Sequence, residues 1–162
     1  MRFSRTDTVD VGDPAPDFEL PSQTGTPVRL SDFHGDRVVV LYFYPKDNTP
    51  GCTAEACAFR DSYEVFADAG AEVIGVSADS VSSHEAFSTQ YRLPFLLVAD
   101  SDGELRRRYG VKNRMGVLPG RVTFVIDREG IVRHVFSSMT NIDGHVSEAL
   151  RVVEDLQDRT PG

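Results

Sequence analysis

Residues 37–44 read RVVVLYFY, an almost unbroken apolar run dominated by β-branched and aromatic side chains. A strand of that composition needs cover on both faces, which the centre of a largely parallel sheet between helices provides. Pro45 ends the run, and a polar turn leads to Thr49-Pro50. Threonine followed by proline suits an N-cap and a first helical position. The helix so opened is expected to reach Ala69, with Gly70 as its stop. Ala56, Phe59, Tyr63 and Phe66 recur along it at helical spacing and form its apolar stripe.

The rest of the chain keeps alternating. Glu72–Ser77 and Phe95–Ala99 read as buried strands. Ser82–Tyr91 reads as a helix opened by Ser82 and Glu85 at capping-box spacing, and a short helix is expected near Glu104–Tyr109. Arg121–Ile126 and Ile131–Phe136 flank Asp127-Arg128-Glu129-Gly130 as a hairpin. A last helix from Asp143 buries Val146, Leu150, Val153 and Leu156. Upstream, Asp17–Leu20 and Val28–Leu30 read as short strands around the turn-rich Pro21–Pro27. The pattern predicts an α/β fold, a central sheet with helices on both faces. No repeat, long linker or low-complexity tract divides residues 1–162, so one domain is expected.

A chain of 162 residues, 40% hydrophobic, buries enough surface to fold without disulfide staples. The net charge of −8, with a single basic cluster at Arg106, Arg107 and Arg108, disfavours a nucleic-acid partner. That cluster reads as a solvated helical face. No stretch approaches the ~20 apolar residues of a membrane span. The opening MRFSRTDTVD lacks the apolar run of a secretory signal, so a cytoplasmic protein is expected.

In such a compartment a pair of cysteines is catalytic, redox-sensing or metal-binding more often than a structural bridge. Cys52 falls in the first turn of the long predicted helix. Unpaired N–H groups and the positive end of the helix dipole meet there, and both favour a thiolate over a thiol. Cys52 lies in line with the apolar stripe and should face the sheet. Cys57 is rotated from it by roughly 140° and shares its flank with charged residues, so it should be partly exposed. Five helical residues separate the two Cα atoms by about 8–9 Å. A disulfide needs under about 7 Å, so a Cys52–Cys57 bond requires the first turns to unwind. Glu55 reads as a solvated first-turn acid. The four histidines are scattered and show no zinc-ligand spacing.

Residues 43–61, FYPKDNTPGCTAEACAFRD, closely resemble the active-site segment of peroxiredoxins, in particular the peroxiredoxin Q branch. Pro45, Thr49 and Cys52 match the P-x-x-x-T-x-x-C motif of that family, and Cys57 stands where the branch carries a second cysteine on the same helix. The resemblance runs from GDPAPDFELPSQTG at residues 12–25 through RVTFVIDREGIVRHVF at residues 121–136. It implies a thioredoxin-like fold, with a mixed central sheet and an added N-terminal β-hairpin. It also implies a thiol peroxidase acting on hydrogen peroxide and organic hydroperoxides. Cys52 would then be the peroxidatic cysteine, Cys57 the resolving one and Arg121 the catalytic arginine. Thr49 and the N–H groups of Gly51 and Cys52 would donate to the reacting atoms, while Pro45 shapes the pocket. Thioredoxin or a similar dithiol would be the reductant, with no metal, haem or flavin. The C-terminal arm that carries the resolving cysteine in dimeric two-cysteine relatives is missing, so a monomer or at most a weak dimer is expected. The insertion-like segment Gly116-Val117-Leu118-Pro119-Gly120 precedes Arg121. A thiol–disulfide oxidoreductase is the competing class, against which the lack of C-x-x-C counts.

Overall fold

In the computed structural model, which describes residues 9–111 and 120–159, the apolar run forms the middle of a sheet. The elements in chain order are β1 (Glu19–Pro21), β2 (Pro27–Arg29), a 3-10 helix (Leu30–Phe33), β3 (Val38–Phe43), α1 (Pro50–Asp61), α2 (Tyr63–Asp68) and β4 (Ala71–Ser77). They continue with α3 (Val81–Tyr91), β5 (Leu96–Ala99), α4 (Glu104–Tyr109), β6 (Val122–Ile126), β7 (Val132–Ser137) and α5 (Ile142–Arg159). The strand order is β5-β4-β3-β6-β7, and β1 and β2 pair as a separate antiparallel hairpin. β3 runs parallel to β4 and antiparallel to β6, so the sheet is mixed, as expected.

Side-chain alternation along β3 divides the core in two. Val38, Val40 and Tyr42 pack with Ala56, Phe59, Phe66, Phe87 and Val153 from α1, α2, α3 and α5. Val39, Leu41 and Phe43 pack on the other face with Val28, Leu30, Leu105, Tyr109 and Phe124. All six residues of β3 are buried, which is why its sequence lacks the polar alternation of a half-exposed strand. Tyr42 stacks on Phe59 with ring centroids 4.6 Å apart. Its ring lies over Gly75, where a Cβ would stand 2.9 Å from it. Among the described residues no helix is long and apolar enough to cross a membrane.

Several boundaries shift by a residue or two from the sequence reading, and two of the differences have a plain local cause. The helix expected over residues 50–69 is broken at Ser62, whose ψ of 4° leaves the helical region. The apolar stripe stays in phase across the break, so the second piece still buries Phe66. Gly70 then stops the chain with φ +84°. α3 starts one residue early because Ser80, rather than Ser82, is its cap: Ser80 Oγ accepts the Ser83 N–H at 3.1 Å. Of the segment before Arg121, Gly116–Pro119 lie outside the described residues.

Phe59 joins α1 to β3 and α2 through Tyr42 and Phe66. Phe59→Ala should cost about 3–5 kcal/mol. Urea unfolding should show a lowered midpoint with an unchanged slope.

Candidate active site

Three chain segments meet at the carboxyl end of β3: the loop over residues 44–49, the first turns of α1 and the residue just before β6. Asp47 is the hub of the loop. It is buried, and its carboxylate accepts hydrogen bonds from Tyr44 Oη at 2.6 Å and Ser83 Oγ at 2.8 Å, with His84 Nδ1 also at 2.8 Å. Its N–H donates to Asp79 Oδ2 at 2.8 Å. Burial works to raise the Asp47 carboxyl, but these donors, His84 first, hold it below the usual range. Asp47, Asp79 and His84 bring ligand-type atoms within 4.8 Å of one another. The protein's own donors already engage both acids. Asn48 takes φ +63°, a left-handed conformation asparagine tolerates, and turns the loop into the helix.

Thr49 caps α1 by position only. Its carbonyl accepts the Thr53 N–H at 2.8 Å, but its side chain makes no cap bond and Oγ1 donates to Lys46 O at 2.8 Å. Pro50 is the first helical residue, so the N–H groups of Gly51 and Cys52 fall in the turn that has no intrahelical acceptors. Pro45 and Cys57 are half-buried. Both cysteines are free thiols on one unbroken helix, Cys52 inside and Cys57 at the flank, as the helical wheel predicted.

Arg121 is 4% exposed, and its Nη1 donates to two atoms of α1: Glu55 Oε1 at 2.7 Å and Cys52 Sγ at 3.4 Å. Close approach is possible because residue 51 is glycine; a Cβ there would lie 2.9 Å from Arg121 Nη2. Burial opposes the Arg121 charge, but Glu55 and then Cys52 hold it firmly protonated. Glu55 corrects the sequence reading. It is fully buried, not solvated. Burial pushes its carboxyl up to about 7, with Arg121 pulling the other way. The signal was present: Glu55 stands three residues after Cys52 and four before Phe59, on the inward face. Sequence reasoning also missed Thr123 and His145, whose Oγ1 and Nδ1 lie 2.7 Å apart behind Glu55.

Residues 11–135 match the AhpC/TSA family. The chain belongs to that family and is a peroxiredoxin. It is 48% identical over 149 residues to the chloroplastic peroxiredoxin Q of Triticum aestivum, covering 91% of this chain and 68% of that one. Its identity to the Sedum lineare chloroplastic peroxiredoxin Q is 49%, over 92% of this chain and 80% of the relative. Among solved structures, peroxidoxin BcpB of Mycobacterium tuberculosis superposes with a TM-score of 0.85 at 42% identity, covering 91% of this chain and 98% of that one. The bacterioferritin comigratory protein of Xanthomonas campestris, studied for alkyl peroxide reduction, superposes at 0.81 and 35% identity, covering 92% and 98%. This peroxiredoxin therefore has the thioredoxin-like fold implied by its sequence, and it is a peroxidase. The cytoplasmic location expected from its first residues is contradicted, because these two relatives are chloroplastic.

Glu55 makes a pH prediction. Its folded carboxyl titrates above the ordinary value of 4.5, so between there and about 7 the native state holds a proton the unfolded chain has lost. Its contribution to stability therefore falls as pH rises through that window, by on the order of 3 kcal/mol. Chemical denaturation across the window should show this slope in the wild type and a flatter one in Glu55→Gln.

Proposed function

We propose that this peroxiredoxin reduces hydrogen peroxide and organic hydroperoxides through a Cys52 sulfenic acid, which Cys57 resolves and a thioredoxin-type dithiol recycles. The reading is carried by the guanidinium of Arg121 held 3.4 Å from Cys52 Sγ at the amino end of α1. The Cys52 thiolate attacks the hydroxyl oxygen of ROOH. An S–O bond forms, the O–O bond breaks, and RO⁻ leaves with the bonding pair and takes up a proton. Charge thus moves from sulfur to the departing oxygen, where preorganised donors stabilise it. Arg121 Nε, buried and without a partner among the described residues, is one such donor. The N–H groups of Gly51 and Cys52 add to it. Thr49 spends its proton on Lys46 O, so its lone pairs serve by accepting the peroxide O–H. Pro45 shapes the pocket and takes no part in bonding.

Cys57 then attacks the sulfenic sulfur, forming the S–S bond and releasing water. An intact α1 keeps the two Cα atoms about 8–9 Å apart, too far for that bond. Resolution therefore unwinds the first turns of the helix. A dithiol reductant restores both thiols by exchange.

Stopped-flow mixing with hydrogen peroxide should oxidise Cys52 far faster than free cysteine, and Cys52→Ser should abolish the reaction. Cys57→Ser should react once and accumulate sulfenic or sulfinic acid on Cys52 in mass spectra. Amide exchange should show residues 50–60 losing protection on oxidation. A Cys52 no faster than free cysteine would refute the peroxidatic role, and a wild-type disulfide joining two chains would refute the resolving role.

A further inference from the structure

Behind Cys52 and Arg121 lies a buried polar group that the reaction above does not use. Glu55 Oε1 accepts from Arg121, while its Oε2 is buried and accepts no hydrogen bond among the described residues. His145 Nδ1 stands 3.6 Å from that oxygen. The ring is fully buried and set edge-on against Phe136. Its Nε2 lies 2.7 Å from Ser138 O, and a carbonyl only accepts, so Nε2 carries a proton. Nδ1 faces Thr123 Oγ1 at 2.7 Å. Thr123 follows Arg121 by two residues, which puts both on one face of the sheet. The titratable and charged groups around this array are Cys52 and Glu55 from α1, Tyr42 from β3, Arg121 ahead of β6, and His145 from α5.

The charge count has two values. With one proton on Glu55 Oε2 or His145 Nδ1, the Arg121–Glu55–His145 group carries +1. Without it the group is neutral. We propose that His145 is a positioning residue that shares one proton with Glu55 and thereby sets how much of the Arg121 charge reaches Cys52. The role rests on the peroxidase reading, but the coupling itself is electrostatic. When the proton is bound, Arg121 serves the sulfur. When it is lost, the Glu55 carboxylate competes for the same Nη1. By reciprocity, ionising Cys52 draws a proton onto the pair. Burial places this exchange near neutrality, since it raises Glu55 to about 7 and lowers His145.

The test is iodoacetamide alkylation of Cys52 in a Cys57→Ser background, from about pH 5 to about pH 9. His145→Gln weakens the shared proton site, so alkylation near neutrality should slow roughly tenfold, with the gap closing at alkaline pH. Glu55→Gln fixes the group at one positive charge and should shift the profile the other way, to lower pH. Adding His145→Gln to Glu55→Gln should then change rates by less than about twofold, because His145 acts through Glu55. An equal loss at every pH, or additive effects in the double variant, overturns the proposal. Should Glu55→Gln fail to fold, ¹⁵N NMR of His145 decides in its place. The Nδ1 transition should move to lower pH in Cys52→Ser, and a transition unmoved by that change overturns the coupling. Alkylation involves no peroxide, so slow peroxide oxidation with this profile intact would count against the peroxidase role alone.

Discussion

A single guanidinium nitrogen, Arg121 Nη1, serves a carboxylate at 2.7 Å and a sulfur at 3.4 Å, all three residues being buried. A buried charge without a partner costs several kcal/mol, so Glu55 and Arg121 each require the other. The pair also joins elements distant in sequence, α1 and the start of β6, and brings Cys52 to a fixed cation. Much else in the structure serves this contact. Gly51 leaves space for Arg121, β3 supplies the wall that α1 packs on, and Asp47 holds the loop that aims the helix.

How much of this was legible depended on range. β3 could be read almost residue by residue, because burial on both faces leaves an apolar run with no competing pattern. α4 was read at its exact bounds, closed by Gly110 in a left-handed conformation. Cys52 and Cys57 were placed correctly inside and at the flank because a helical wheel needs only local spacing. The break at Ser62 was invisible for the complementary reason: periodicity continues in phase through it.

The polar interior was the unreadable part. Glu55, read as a first-turn acid, had a local explanation in the helix dipole that hid its burial, although the first turn of α1 holds no acid. Asp47 sits in a turn that reads as solvated, and only α3, more than thirty residues on, supplies Ser83 and His84 to bury it. Nothing near His145 in sequence announces Thr123, 22 residues earlier. Buried polar networks are specified by partners that the topology delivers, and local pattern does not carry them.

The interruption at Ser62 has a mechanical meaning. Residues 50–61 form a cylinder of their own, and the following turn, anchored by Phe66, begins afresh. A cooperative helix of twenty residues would transmit fraying at its head toward its tail. Under the proposed resolution, the joint would act as a firebreak, confining reorganisation to the cysteine-bearing piece.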